Sequence, residues 1–184
     1  MNVPGACPLA MLLLPMAKRA DADERRSGYG RPMARRPRNA LPANGAFHVT
    51  NRGVEQRSIF LDDSDRLIFV GLLDRATQRF CWRLSAYALM RNHFHLVVLA
   101  DLEQLSRGMH QLSFRYAQGF NDRYERVGHL FQGRFKASPI ESSEYYANAC
   151  AYVFENPVRA GICAEPSAYR WLGGELFADI YRRV

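Results

Sequence analysis

The sequence predicts an α+β fold, a ferredoxin-like sandwich in which helices lie on a central antiparallel sheet. Three observations predict it. Short segments alternate apolar and polar residues with period two. Longer segments between them place apolar residues at helical spacing. The order is strand, helix, strand, strand, helix, strand, with one helix added at the C-terminal side.

Phe47 to Arg52 alternates like a half-buried strand and stops at Gly53. Asp63 to Phe80 carries Leu67, Ile68, Val70, Leu72 and Leu73 at helical spacing. Its Asp63-Ser64-Asp65 start places negative charge at the positive end of the helix dipole. Trp82 to Leu89 and His93 to Leu99 read as strands, and the turn residues Arg91-Asn92 join them into a hairpin. Leu102 to Tyr124 is a second amphipathic helix. Gly133 to Ile140 is a fourth strand in which Pro139 suits an edge or an end. Glu144 to Glu155 is a third helix. Pro157 disfavours α geometry at Asn156, so the helix is expected to end there. The remainder, with Pro166 and Trp171, is expected to fold back as a C-terminal flap. No internal repeat is present.

The chain has 184 residues, of which 48% are hydrophobic, and a net charge of +7. That suits one compact domain plus a tail. Residues 1–46 hold eight Arg/Lys and three Asp/Glu, whereas residues 47–184 hold seventeen and fifteen. A polyanion is the natural partner of such a chain, but a nucleic-acid site on the domain has to come from local clustering. Only Lys18 and Lys136 are lysines; arginine suits bidentate phosphate contacts. Residues 1–45 have no sustained period and read as a disordered basic tail, with residues 46–184 as the folded domain. Met33 reads as the natural initiator, followed by a short basic arm of Arg35, Arg36 and Arg38 able to enter a minor groove. Cys7, Cys81, Cys150 and Cys163 form no CxxC pair, which fits a reducing cytoplasm. Leu9 to Met16 is too short to span a membrane.

The sharpest local signal is Arg91-Asn92-His93-Phe94-His95-Leu96. In a strand His93 and His95 share one face and Phe94 takes the other. Two imidazoles side by side can chelate a divalent metal, or stand together by chance. A second pair closes the third helix. Tyr152 and Asn156, four residues apart, share a helix face. Asn156 offers an amide oxygen to a metal, and Tyr152 offers a phenol to a phosphate held there. The same spacing also fits a core tyrosine and a C-capping asparagine.

Four segments then carry a resemblance: Phe47-His48-Val49-Thr50-Asn51-Arg52-Gly53, Asn92-His93-Phe94-His95, Gly128-His129-Leu130-Phe131-Gln132-Gly133-Arg134-Phe135-Lys136, and Asn156-Pro157-Val158-Arg159-Ala160-Gly161. In this order and spacing they resemble REP-associated tyrosine transposases, members of the HUH single-tyrosine transposases. The resemblance covers about residues 33 to 173. It implies a ferredoxin-like fold with the HUH motif on a sheet strand and the tyrosine on the added helix. It also implies His93 and His95 as metal ligands, Phe94 as the hydrophobic residue between them, Asn156 completing the site and Tyr152 as nucleophile. The ion implied is Mg²⁺ or Mn²⁺. The reaction implied is cleavage and rejoining of hairpin or repeat DNA through a 5′-phosphotyrosine. Glu155 stands where an apolar residue is usual, either beside the metal or facing solvent. His48 is a proton acceptor, a DNA contact or a structural strand residue.

Single-stranded or hairpin DNA is the expected partner, bound by a monomer or homodimer. Arg52, Arg115, Asn121, Gln132, Arg134 and Lys136 are the expected DNA contacts. Tyr116, Arg123 and Tyr124 lie along the same helix, and Phe131 suits stacking on unpaired bases. Two other readings compete. A domesticated, inactive relative binds repeat DNA without cutting it. A zinc hydrolase uses His93, His95 and a third His or Cys, although no HExxH is present. Tyr116 and Tyr146 are the alternative nucleophiles.

Overall fold

The computed structural model describes residues 41–181. Met33 and the arm of Arg35, Arg36 and Arg38 lie outside the described residues. The elements are β1 (Asn44–Arg52), α1 (Asp63–Arg79), β2 (Arg83–Met90), β3 (His93–Asp101), α2 (Leu102–Arg123), β4 (Lys136–Ile140), α3 (Ser143–Arg159), β5 (Leu172–Gly173) and α4 (Glu175–Tyr181). The sheet runs β4-β1-β3-β2-β5, and every neighbouring pair is antiparallel. The fold is an α+β sandwich with the predicted element order.

Strand alternation sorts the sheet into two faces. Phe47, Val49, Leu89, Phe94, Leu96 and Val98 meet α1 and α2 in the main core. Ala86, Ala88 and Val97 point the other way, against Ala149, Cys150, Val153 and Phe154 of α3 and Phe177 of α4. The small sheet residues on that side let α3 lie close. Val153 and Ala149 are fully buried there. Beyond this contact the same face continues with polar residues.

In α1 the buried stripe is Asp65, Phe69, Leu73 and Ala76. Leu67 and Ile68, expected inward, are 55% and 48% exposed; the phase of the stripe is set by Phe69 against Phe94 and Phe60. The helix starts at Asp63, as the sequence predicts, and the residue before it is the cap. Asp62 caps it by accepting from the Asp65 amide at 2.9 Å, and Asp65 closes a capping box. Buried Asp65 also accepts from the Leu61 amide, the Arg123 guanidinium and the Tyr124 hydroxyl. This network ties the end of α2 to the start of α1.

Three expectations are corrected. Helix α3 runs through Pro157 to Arg159. Proline removes one helical hydrogen bond near the end, and the Ala160 amide still bonds the Asn156 carbonyl before Gly161, at φ +68°, closes the helix. Strand β4 begins at Lys136 rather than Gly133, because residues 130–132 pair instead with the end of β1. The Val54 amide bonds the Leu130 carbonyl, Gly53 bridges Phe131, and the Gln132 amide bonds the Arg52 carbonyl. Two of the sequence motifs thus hold each other. A Cβ on Gly53 would collide with the Arg57 carbonyl, so only glycine allows the chain to double back there. The C-terminal segment is more than a flap: β5 extends the sheet, pairing Leu172 with Ala88 and Gly173 with Tyr87. Pro139 sits on edge strand β4 as expected.

Candidate active site

β3 carries His93 and His95 toward α3, with Phe94 fully buried on the opposite face, 4.9 Å from Phe69. Antiparallel pairing places Thr50 opposite His95 and Arg52 opposite His93. His48, two residues before Thr50, therefore faces the same side. The rings of His93 and His95 are 5.0 Å apart at 83°.

Each imidazole is held through its Nδ1. Asn92 Oδ1 lies 2.6 Å from His93 Nδ1. Asn92 itself is oriented by donating from Nδ2 to the Gln56 carbonyl at 3.0 Å. His48 Nε2 lies 3.0 Å from His95 Nδ1. The tautomers that donate from Nδ1 leave the Nε2 lone pair of both His93 and His95 for another partner. Burial pushes His48 and His93 down to about 4, with the Arg52 charge adding to the effect on His93. Burial, then the neighbouring His48, His93 and Arg52, holds His95 well below the ordinary histidine range. All three rings are neutral at pH 7, the state that binds metals.

Helix α3 brings Tyr152 over His95 and His48. Its ring centre is 5.7 Å from that of His95 and 6.0 Å from that of His48, edge-on in both cases. Arg159 lies over the Tyr152 ring at 5.6 Å and pairs with Glu155 at 3.2 Å. Glu155 is thus engaged in an i,i+4 ion pair. Asn156 donates from Nδ2 to the Tyr152 carbonyl at 2.7 Å, which leaves Oδ1 as its possible metal-binding atom. Among the described residues no three His, Cys, Asp or Glu side chains are gathered for a metal. The donor set around His93 and His95 offers two neutral imidazole nitrogens to a divalent ion. It lacks the third His or Cys that a zinc hydrolase reading needs among these residues.

The alternative tyrosines are occupied. Tyr116 is 2% exposed and donates to the Ile59 carbonyl at 2.5 Å. Tyr146 donates to Ser85 Oγ at 2.5 Å.

The expected DNA contacts separate into two groups. Arg52, Gln132, Arg134 and Lys136 are exposed around the end of β1 and the start of β4, and Lys136 stands opposite Thr50. Arg115 is exposed on α2, in the layer on the other side of the sheet. Asn121 clasps the Gly128 carbonyl at 2.9 Å. Arg123 and Tyr124 belong to the Asp62–Asp65 network. Phe131 packs toward Phe94 and Tyr116. Sequence reasoning did not find the contacts of Asn92 with His93 and of Arg159 with Tyr152. The first was hidden as a turn residue; the second was signalled by a seven-residue helical spacing.

The sequence model for "Transposase IS200 like" matches residues 43–156. A solved structure of a REP-associated tyrosine transposase bound to a REP hairpin is similar at a TM-score of 0.61 and 16% identity, over 76% of this chain and 80% of that one. At that identity the likeness speaks to the fold. No curated protein matches.

Proposed function

The chain belongs to the IS200-like transposase family, and we propose that it cuts and rejoins single-stranded or hairpin DNA with Tyr152 as nucleophile. The observation that carries this reading is the placement of Tyr152 5.7 Å from His95 within one chain. A repeat hairpin of the REP kind is the proposed substrate, because the similar solved structure holds one. The reaction belongs in the cytoplasm, with the chromosome; no helix among the described residues is long and apolar enough to cross a membrane.

His93 and His95, with Asn156 Oδ1, would hold Mg²⁺ or Mn²⁺, which when bound polarises the scissile phosphate and neutralises its charge. Tyr152 Oη attacks phosphorus in line as its proton leaves. The P–O3′ bond breaks, the 3′ oxygen takes up a proton, and the 5′ phosphate remains esterified to the tyrosine. In the second step a 3′ hydroxyl attacks that phosphotyrosine and the phenol departs. One phosphodiester is exchanged for another, so rejoining needs no nucleotide cofactor. Arg159 packs over the face of the Tyr152 ring and helps to hold its orientation. The 5.7 Å between Tyr152 and His95 of the same chain supports a monomer over a homodimer as the acting unit. Arg52, Gln132, Arg134 and Lys136 would position the DNA beside it, while Arg115 would meet DNA only where it wraps to the α2 side.

The test uses a repeat hairpin with a single-stranded flank and Mn²⁺. Wild type should yield a DNA-linked protein band on a denaturing gel, and Tyr152→Phe should yield none. An adduct with Tyr152→Phe refutes the assignment of the nucleophile. Tight binding by wild type without any adduct would instead favour the inactive, repeat-binding relative.

A further inference from the structure

Beside the histidine pair, the turn between β2 and β3 and the loop between β1 and α1 enclose an open groove of about 590 Å³. Arg57, Arg91, Arg126, Ser58, Leu61 and Asn92 line it. We propose that this groove binds the sugar-phosphate backbone of the unpaired DNA strand next to the cleavage point, with Arg91 and Arg126 as its phosphate contacts. The proposal rests on the DNA-cleaving reading above and adds where the flanking strand lies.

Charge is the first argument. Residues 41–181 hold fifteen Arg/Lys and fifteen Asp/Glu, so the domain carries no bulk field. Six of the fourteen arginines in this range, Arg66, Arg83, Arg107, Arg123, Arg159 and Arg170, lie within 4 Å of carboxylates. Arg57 pairs with Glu55 at the rim. Among the described residues Arg91 and Arg126 have no carboxylate within ion-pair distance, and no carboxylate lines the groove. Three guanidiniums in one concavity, two of them unpaired, call for an anion.

Geometry is the second argument. Arg91 donates from Nε to Ser58 Oγ at 2.8 Å, which fixes the guanidinium and leaves its two terminal amino groups for a phosphate fork. Arg126 rests on the Phe120 ring at 5.5 Å. Leu61, 55% exposed, gives a base or sugar an apolar surface. Asn92 both lines the groove and holds His93, so one side chain separates the groove from the histidine pair. Gln56, at φ 59°, and Glu125, at φ 51°, are non-glycine residues in the left-handed region, one beside Arg57 and one beside Arg126. Such strain gathers at binding sites.

Size decides for a single strand. A cleft of this volume encloses a small ligand, about one or two nucleotides, whereas a duplex is far wider.

The experiment measures binding of a fluorescent dT10 oligonucleotide by anisotropy across a salt series in EDTA, with a 10-base-pair blunt duplex in parallel. Wild type should bind dT10. Arg91→Gln/Arg126→Gln should bind it about tenfold more weakly, and the salt slope should fall by about 1.4, two phosphates at about 0.7 each. Duplex binding should change less than twofold. Arg75→Gln, an exposed arginine on α1, should match wild type. No dT10 binding by wild type, an unchanged double variant with a wild-type unfolding midpoint, or an equal loss on duplex each overturns the groove. The adduct assay separates the two ideas. Loss of dT10 binding in the double variant, without any wild-type adduct, keeps the groove and removes the nuclease; an adduct with unchanged dT10 binding does the reverse.

Discussion

Nε2 of His48 stands 3.0 Å from Nδ1 of His95, across the β1–β3 pairing and on the face that Tyr152 covers. The contact gives His48 a role that its place in the sequence left open among three. As acceptor from His95 Nδ1 it fixes the tautomer whose Nε2 faces outward, as a buried carboxylate or carbonyl does in many metal sites. His48 is thus a positioning residue.

His48→Leu should therefore weaken Mn²⁺ binding about 10- to 100-fold, read by electron paramagnetic resonance titration without DNA. His48→Gln keeps an acceptor oxygen and should recover most of that affinity. Similar affinity in the leucine variant and wild type would remove the positioning role. A loss shared equally by both variants would point to packing instead.

The same burial makes folding sensitive to acid. His48 and His93 are pushed down to about 4, against about 6.5 in the unfolded chain. Between those values the unfolded state binds more protons, so stability falls as pH falls from 6.5 toward 4 and is fully present above 6.5. At pH 5, His48 alone accounts for about 2 kcal/mol, being 1.5 pH units at about 1.4 kcal/mol each. Calorimetry of the metal-free protein should show the unfolding midpoint dropping from pH 7 to pH 5. Adding Mn²⁺ should raise the midpoint at pH 7, and the gain should fade only as the pH falls to about 4 and below, where the folded chain's imidazoles protonate and no longer ligate. A midpoint that is flat or rises on acidification contradicts the buried neutral histidines.

Local patterns made much of this legible. Alternation in His93-Phe94-His95 set the facing of the pair, and the four-residue spacing set Tyr152 beside Asn156; both are periodic properties of one element. The buried stripe of α1 was misjudged because Leu67 and Ile68 are as apolar as Phe69, and only the partner surface, with Phe94 and Phe60, selects the phase. The His48–His95 contact depends on the register of β1 against β3, a tertiary fact. The groove needs three arginines from three separate segments, which no local window joins. For Arg123 and Tyr124, exposed-looking helix spacing suggested DNA, whereas the partner is Asp65, about sixty residues away.

That last contrast separates scaffold cations from substrate cations. Asp65 is 2% exposed and accepts from the Leu61 amide at 2.8 Å, Arg123 at 2.9 Å and Tyr124 at 3.0 Å. Removing it orphans donors that tie α2 to α1, while Arg123, partly exposed, can rehydrate. Asp65→Ala should cost about 2–4 kcal/mol in urea unfolding. Arg123→Gln should lower the unfolding midpoint as well, with the salt slope of hairpin binding unchanged. Lys136, exposed opposite Thr50, has no such partner among the described residues. Lys136→Gln should leave stability within about 0.5 kcal/mol and reduce the salt slope of hairpin binding by about 0.7 to 0.9. If Arg123→Gln instead lowers the slope and Lys136→Gln does not, the DNA path runs over α2 and the assignment of the β1–β4 edge fails.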